Sequence, residues 1–167
     1  MIFLGIGSNL SSSFGDRIEN INLAISLMKE KKIKLIQQSS FYETFSYPDK
    51  KNPKFINNVI SVDTNLQPKE LMAALLLIEE KLERERFKKN DPRTCDIDII
   101  DYKGKVTNYK LGNFELNLPH KRLEHRNFVL YPLKEICPDW KHPGTKKNID
   151  LLINNLKTPN NEITKLG

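Results

Sequence analysis

Asp96 and Asp98, within Arg93-Thr94-Cys95-Asp96-Ile97-Asp98-Ile99, are the residues of this 167-residue chain whose types and spacing point most directly to chemistry. In a strand, side chains two apart leave the same face, so the carboxylates project together with Cα atoms roughly 6.5 to 7 Å apart. Cys95, Ile97 and Ile99 then pack the other face. Carboxylates so placed repel each other unless cations intervene. A hard, oxygen-preferring divalent ion, or two of them roughly 3.5 to 4 Å apart, relieves that repulsion. An isolated D-x-D is more often an acidic sheet surface, but here the preceding segment carries Arg84, Arg86, Lys88, Lys89 and Arg93. Metal with arginine is the equipment of phosphoryl chemistry, in which a protein mainly positions phosphates and neutralises charge developing on bridging oxygens. Arg84 and Arg93 are the stronger candidates because a guanidinium fork engages phosphate oxygens in pairs. Lys88 and Lys89 read equally well as solvated surface. A second basic cluster, His120, Lys121, Arg122, His125 and Arg126, can close on the same anion from another side. The three histidines lack any tight ligand spacing, which argues against zinc.

Two phosphate motifs are missing. No G-x-x-x-x-G-K-[ST] occurs, and Gly5-Ile6-Gly7-Ser8-Asn9-Leu10 lacks the third glycine of a dinucleotide fingerprint. Any bound nucleotide must be held by metal and side-chain cations.

The elements that position these residues follow from periodicity. Ile2 to Ile6 is a short apolar run that suits a buried first strand, broken at Gly7-Ser8-Asn9. Asp16 with Glu19 reads as a capping box, and Ile18, Ile21, Ile25 and Met28 recur as one helical face. Ile33 to Phe45 reads as one second strand, and Ser46 to Lys54, with Pro48 and Pro53, as a loop. Phe55 to Val62 is a third strand with Asn57, Val59 and Ser61 on one face. Pro68 opens a second helix carrying Leu71, Leu75, Ile78 and Leu82 on its apolar face. Arg84 to Pro92 is read as an exposed loop, before Cys95 to Ile100 resumes as a fourth strand. The order β-α-β-β-α-β predicts an α+β fold, the split βαβ or ferredoxin-like sandwich with both helices on one face of an antiparallel sheet. C-terminal additions follow: a hairpin around Val106 to Leu118, a short helix around Asn127 to Ile136, and a polar tail whose Asn- and Lys-rich end is expected to be mobile.

Composition is that of a soluble globular chain, 38% hydrophobic and 29% charged, which sets aside disordered and disulfide-dense classes. The net charge of +6 favours anionic partners. Two cysteines outside any paired spacing suit a reducing compartment. The longest apolar run, Leu71 to Ile78, is far below the roughly 20 residues of a membrane span, so a cytoplasmic protein with no membrane partner is expected.

Taken together, the blocks Ile2-Phe3-Leu4-Gly5-Ile6-Gly7-Ser8-Asn9-Leu10, Ser40-Phe41-Tyr42-Glu43-Thr44, Phe55-Ile56-Asn57-Asn58-Val59, Pro92-Arg93-Thr94-Cys95-Asp96-Ile97-Asp98-Ile99, Pro119-His120 and Arg126-Asn127-Phe128-Val129-Leu130-Tyr131-Pro132-Leu133 stand in one order. In them the chain resembles the 6-hydroxymethyl-7,8-dihydropterin pyrophosphokinases of folate biosynthesis. The resemblance covers about residues 1 to 140 of a single domain over 1–167, leaving 141–167 as a tail. It implies a ferredoxin-like enzyme that moves the pyrophosphoryl group of ATP to the pterin hydroxymethyl oxygen and releases AMP. Two magnesium ions would be held by Asp96 and Asp98. Arg84 and Arg93 would meet the β- and γ-phosphates, with His120 and Arg126 also on the triphosphate, and Glu79, Arg86, Ile99 and Lys121 would fall where the family contacts nucleotide. The pterin would lie between Phe55 and Phe128, its polar edge read by Asn57 and by backbone near Thr44 and Phe45; taken alone, these aromatics would be assigned to the core.

The sequence departs from that family at Asn90-Asp91, where Trp-Gly is usual, at Glu115, where some members have Arg, and at Lys121, where an aromatic is common. The expected partners are the two small molecules, without nucleic acid, in a monomer. A rival reading, an RNA-binding module, lacks an RNP1-type aromatic run and would set Asp96 and Asp98 against phosphates. A metal-dependent phosphohydrolase using the same carboxylates is separated by whether AMP forms only when pterin is supplied.

Overall fold

A computed structural model describes residues 1–46, 49–84 and 92–167. Its centre is β1 (Ile2–Ser8), which pairs antiparallel with β4 (Phe55–Asp63) on one side and β5 (Asp96–Tyr102) on the other. β2 (Lys34–Gln38) and β3 (Tyr42–Thr44) share the far edge of β4, and β8 (Ile163–Lys165) pairs outside β3. The result is an antiparallel six-stranded sheet along the path β5-β1-β4-β3-β8, with β2 beside β4. A separate hairpin of β6 (Thr107–Leu111) and β7 (Phe114–Leu118) falls where it was expected.

Alternation along the strands builds two cores. Ile2, Leu4, Ile6, Ile56, Ile60, Ile97 and Ile99 meet Ile21, Ala24 and Met28 of α1 (Arg17–Glu30) and Leu71, Leu75 and Ile78 of α2 (Pro68–Lys81). Phe3, Val59 and Ile100 meet Val129, Leu130 and Leu133 of α3 (Asn127–Ile136) and Ile149 and Leu152 of α4 (Ile149–Asn154). Both principal helices start as predicted: Asp16 accepts from the Glu19 N–H at 2.9 Å, and Pro68 opens α2, where its missing N–H costs nothing. No helix among the described residues is long and apolar enough to cross a membrane.

Three expectations are corrected. The single strand over 33–45 is two. The Ser39 N–H donates to the Val59 carbonyl (2.9 Å) while its hydroxyl accepts from the Val59 N–H (3.0 Å), so a side chain replaces a backbone acceptor and the ladder breaks between β2 and β3. Arg84 is not exposed; its side chain is buried against α2 and β5, because an ionic partner there outweighs hydration. Glu85 to Asp91, including Arg86, Lys88, Lys89 and Asn90-Asp91, lie outside the described residues. The polar tail is docked, since Ile149, Leu152, Ile153 and Leu156 supply a helical apolar stripe to the second core and the Leu166 N–H donates to Phe41 O at 2.9 Å.

Glu135 of α3 joins that helix to the sheet: it accepts from the Ser40 N–H (3.0 Å), the Ser40 hydroxyl (2.7 Å) and the Tyr42 hydroxyl (2.6 Å). Burial works against its charge, but these hydrogen bonds outweigh it and hold the carboxyl below its ordinary 4.5. A depressed folded-state value means the stabilisation is complete above the unfolded value and is lost as pH falls through the folded one. Glu135→Gln should therefore melt below wild type at pH 7, by about 1 kcal/mol after screening at this partly exposed site. The gap should close below pH 4.5; a pH-independent gap in thermal melts would discount the charge.

Candidate active site

The register of β1 decides the site. Gly7 lies opposite Asn57 on β4 and opposite Asp96 on β5, and Gly5 lies opposite Val59 and Asp98. Residues in one row of a sheet share a face, so Asn57 and Asp96 rise on either side of a glycine, roughly 10 Å apart at the two-strand spacing. The two glycines make that floor bare. A Cβ on Gly7 would stand 2.6 Å from Asn57 Oδ1, a separation real Cβ atoms do not show. Gly5 and Gly7, an incomplete nucleotide fingerprint by motif, are instead strand glycines at a close approach.

Asp96 and Asp98 project from this face while Cys95, Ile97 and Ile99 are buried in the opposite core, as period 2 demands. Each carboxylate has its own cations. Arg84 Nη1 lies 2.9 Å from Asp96 Oδ1 and 2.9 Å from Glu79 Oε1, and it also donates to Cys95 O at 3.1 Å. Arg93 Nε is 3.5 Å from Asp96 Oδ2. Arg126 Nη1 donates to Asp98 Oδ2 at 3.1 Å, with His120 Nε2 at 3.8 Å. Glu79 also accepts from the Ile97 N–H at 2.9 Å, which ties the start of β5 to the end of α2.

Charge is unevenly shared. Burial opposes ionisation of Asp96, but Arg84 and Arg93 outweigh it and hold its carboxyl below the usual range. Asp98 is pushed up to about 6, by burial first and then by the neighbouring Asp96. His120 is pushed down to about 4 by burial and by Arg126, so its ring is neutral at pH 7. Its Nδ1 accepts from the Arg122 N–H at 3.1 Å, which leaves the ring proton on Nε2, toward Asp98.

The carboxylates form one wall of a cavity of about 220 Å³ whose other walls include Ile99, Glu115, His120 and Lys121. Asp96, Asp98, Arg93, His120, Lys121 and Arg126 are thus gathered as expected, although Arg84 and Glu79 enter mainly as a buried pair, with side chains 9% and 3% exposed. Arg86 lies outside the described residues.

At the other end of the glycine row, Asn57 Nδ2 donates to Thr44 Oγ1 at 3.2 Å. Phe55 and Phe128 are half-buried, neither sealed in a core, and each has an arginine over its ring: Arg93 at 5.0 Å on Phe55 and Arg126 at 5.3 Å on Phe128. Phe45 is exposed, with Lys54 at 4.6 Å over its ring. Asn9 is not among the expected site residues. It is 3% exposed, and its value lies wholly in partners distant along the chain, so no local signal could have found it.

The chain has relatives among known proteins. A family model described as 7,8-dihydro-6-hydroxymethylpterin-pyrophosphokinase matches residues 3–138. A 2-amino-4-hydroxy-6-hydroxymethyldihydropteridine pyrophosphokinase of Aquifex aeolicus is 37% identical over 146 residues, 87% of this chain and 86% of its own length. One from Synechocystis is 36% identical over 151 residues, 90% of this chain and 73% of its own. A folic acid synthesis protein, fol1, of Pneumocystis carinii is 38% identical over 148 residues, 89% of this chain, which spans only 19% of that longer protein. In fold, a Plasmodium falciparum HPPK-DHPS crystal structure with pteroate superposes with a TM-score of 0.72 at 17% identity, over 92% of this chain and 43% of that one. A match running nearly the length of the chain, shared with bacterial proteins of similar size, admits one conclusion: the chain belongs to the 7,8-dihydro-6-hydroxymethylpterin-pyrophosphokinase family and is a pyrophosphokinase.

Proposed function

We propose that this chain, as a single domain on a ferredoxin-like sandwich, transfers the pyrophosphoryl group of ATP to the hydroxymethyl oxygen of 6-hydroxymethyl-7,8-dihydropterin, releasing AMP. The observation that carries this reading is the row Asn57–Gly7–Asp96, which sets a hydrogen-bonding carboxamide and an anion-handling centre on one face across a bare floor. A pterin presents an amide and amino edge, and a carboxamide offers both donor and acceptor to it. Phe55 and Phe128 supply flat apolar surfaces beside that edge.

The carboxylate pair fits two magnesium ions. Both donors are hard oxygens, and Asp98 is destabilised by its neighbour in a way that cations relieve. When bound, such ions neutralise charge on the transferring phosphates. The chain's own residues do the rest. Arg84 and Glu79 fix Asp96 from beneath. Arg93 and Arg126 would exchange ring and carboxylate for phosphate oxygens, and neutral His120 would donate from Nε2. The pterin hydroxymethyl oxygen bonds to the β-phosphorus and gives up its proton to solvent, as the bond from that phosphorus to the α-phosphate oxygen breaks and AMP leaves with the electron pair.

The decisive assay incubates protein, ATP, magnesium and hydroxymethyldihydropterin and follows AMP and pterin diphosphate. AMP formed equally without pterin would instead mark a phosphohydrolase. Within the pocket, Asn57→Ala and Phe128→Ala should each weaken pterin binding about tenfold or more, at about 1.4 kcal/mol per decade, with binary affinity for a magnesium–ATP analogue within a few fold. Lost thermal stability with intact pterin affinity would return both residues to the core.

A further inference from the structure

Asn9 sits just past the end of β1, buried at 3% exposure, with every polar atom of its carboxamide engaged. Its backbone N–H donates to Arg93 O (3.1 Å) and its Oδ1 accepts from the Arg93 N–H (2.8 Å), a two-point clamp on one residue. Its Nδ2 donates to Ser46 Oγ (3.1 Å) and to Pro53 O (3.1 Å), and Ser46 Oγ donates in turn to Pro53 O. Ser46 follows β3 by two residues and Pro53 precedes β4 by two. One side chain thus pinches together the exit of the strand holding Thr44 and the entry of the strand holding Phe55 and Asn57, while gripping the backbone of Arg93.

We propose that Asn9 is a positioning residue that couples the two substrate halves of the site, making the register of Arg93 depend on that of the strands facing the pterin. The inference rests on the functional reading above, which names those halves. The chemistry of the side chain is specific to this task. A carboxamide accepts at one atom and donates twice at the other; an aspartate cannot donate, and an apolar residue can do neither. The coupling has a second strand in the Arg93 guanidinium, which lies over the Phe55 ring at 5.0 Å, so a shift of the Arg93 backbone alters both the phosphate-facing cation and the surface offered to a ring. Arg17 braces the same corner from outside, donating to Lys54 O at 2.8 Å and pairing with Glu43 at 3.0 Å, but it reaches only the strand side. Asn9 reaches both.

Coupling between two sites is a ratio of affinities, which a merely structural residue leaves alone while lowering stability. Titration calorimetry would measure pterin binding to the full chain with and without saturating magnesium and α,β-methylene ATP. Wild type should bind pterin at least fivefold tighter with the analogue present. Asn9→Ala should bring that ratio below twofold with each binary affinity within threefold of wild type, and Asn9→Asp, which keeps the acceptor and loses both donors, should do the same. If Asn9→Ala does not fold, Ser46→Ala decides, a halved ratio supporting the proposal and an unchanged one overturning it. A ratio untouched in folded Asn9→Ala, or a wild-type ratio near one, overturns the role of Asn9 while leaving the pyrophosphokinase reading in place; a wild type that binds neither pterin nor analogue overturns that reading instead.

Discussion

Asp98→Asn is expected to lower turnover by about 10³ or more at saturating substrates while leaving the unliganded protein as stable as wild type or more so. The two halves of that result have one cause. Asp98 is held with its carboxyl pushed up to about 6, by burial and by Asp96 two residues away, so an ionised Asp98 works against the fold at neutral pH. An acid whose folded value is raised above its unfolded one withdraws stability as pH rises through the folded value, and an isosteric amide removes that cost. What the charge contributes is a place for cations and hence for the phosphates they escort. Asp96→Asn should show a comparable loss of turnover without the gain in stability, because Arg84 and Arg93 already favour its charge. Steady-state rates and melting curves on the two variants settle the matter, and near-normal turnover of either at saturating magnesium would reject the metal assignment.

The two arginines that flank Asp96 should fail in different ways. Arg84→Ala removes the guanidinium shared by the Glu79 and Asp96 carboxylates and frees the start of β5, and loss of one member of a buried pair costs about 3 to 5 kcal/mol. Its melting temperature should fall by many degrees, with activity falling alongside. Replacing both partners, Arg84→Met with Glu79→Leu, should regain part of the stability and little of the activity, since apolar neighbours of similar volume remove the buried charges but leave the Ile97 N–H without its acceptor and cannot orient Asp96. Arg93→Ala should instead lower kcat by about 10² with the fold intact and binary pterin affinity nearly unchanged, and Arg93→Lys should rescue poorly because a point charge lacks the fork. An Arg84→Ala protein that melts like wild type would show that the ion pair carries no weight in the fold. An Arg93→Ala protein losing pterin affinity in step with kcat would move that residue from phosphate handling to structure.

Local pattern carried much of this site. The capping box at Asp16 and Glu19, the four-three spacing of Leu71, Leu75, Ile78 and Leu82, and the two-residue period that turns Asp96 and Asp98 to one face each depend on atoms a few residues apart, and each is present. The failures share a different character. The strand over 33–45 broke because Val59 found a hydroxyl rather than a carbonyl, and Arg84 turned inward because Glu79 and Asp96 converge where α2 meets β5. The tail docked because the outer face of the sheet had apolar surface left to cover.

Which residues could meet phosphate and metal, and most of the helices and strands, are legible in the chain, because backbone periodicity and capping are written in neighbouring residues. That Gly7 stands between Asn57 and Asp96, that Asn9 holds Arg93 to the strands across the floor, and that Asp98 rather than Asp96 bears the strained charge came from packing at a distance. Those outcomes depend on the register of Gly7 against Asn57 and Asp96, 50 and 89 residues away along the chain, and on the burial that this register creates, neither of which any local pattern encodes.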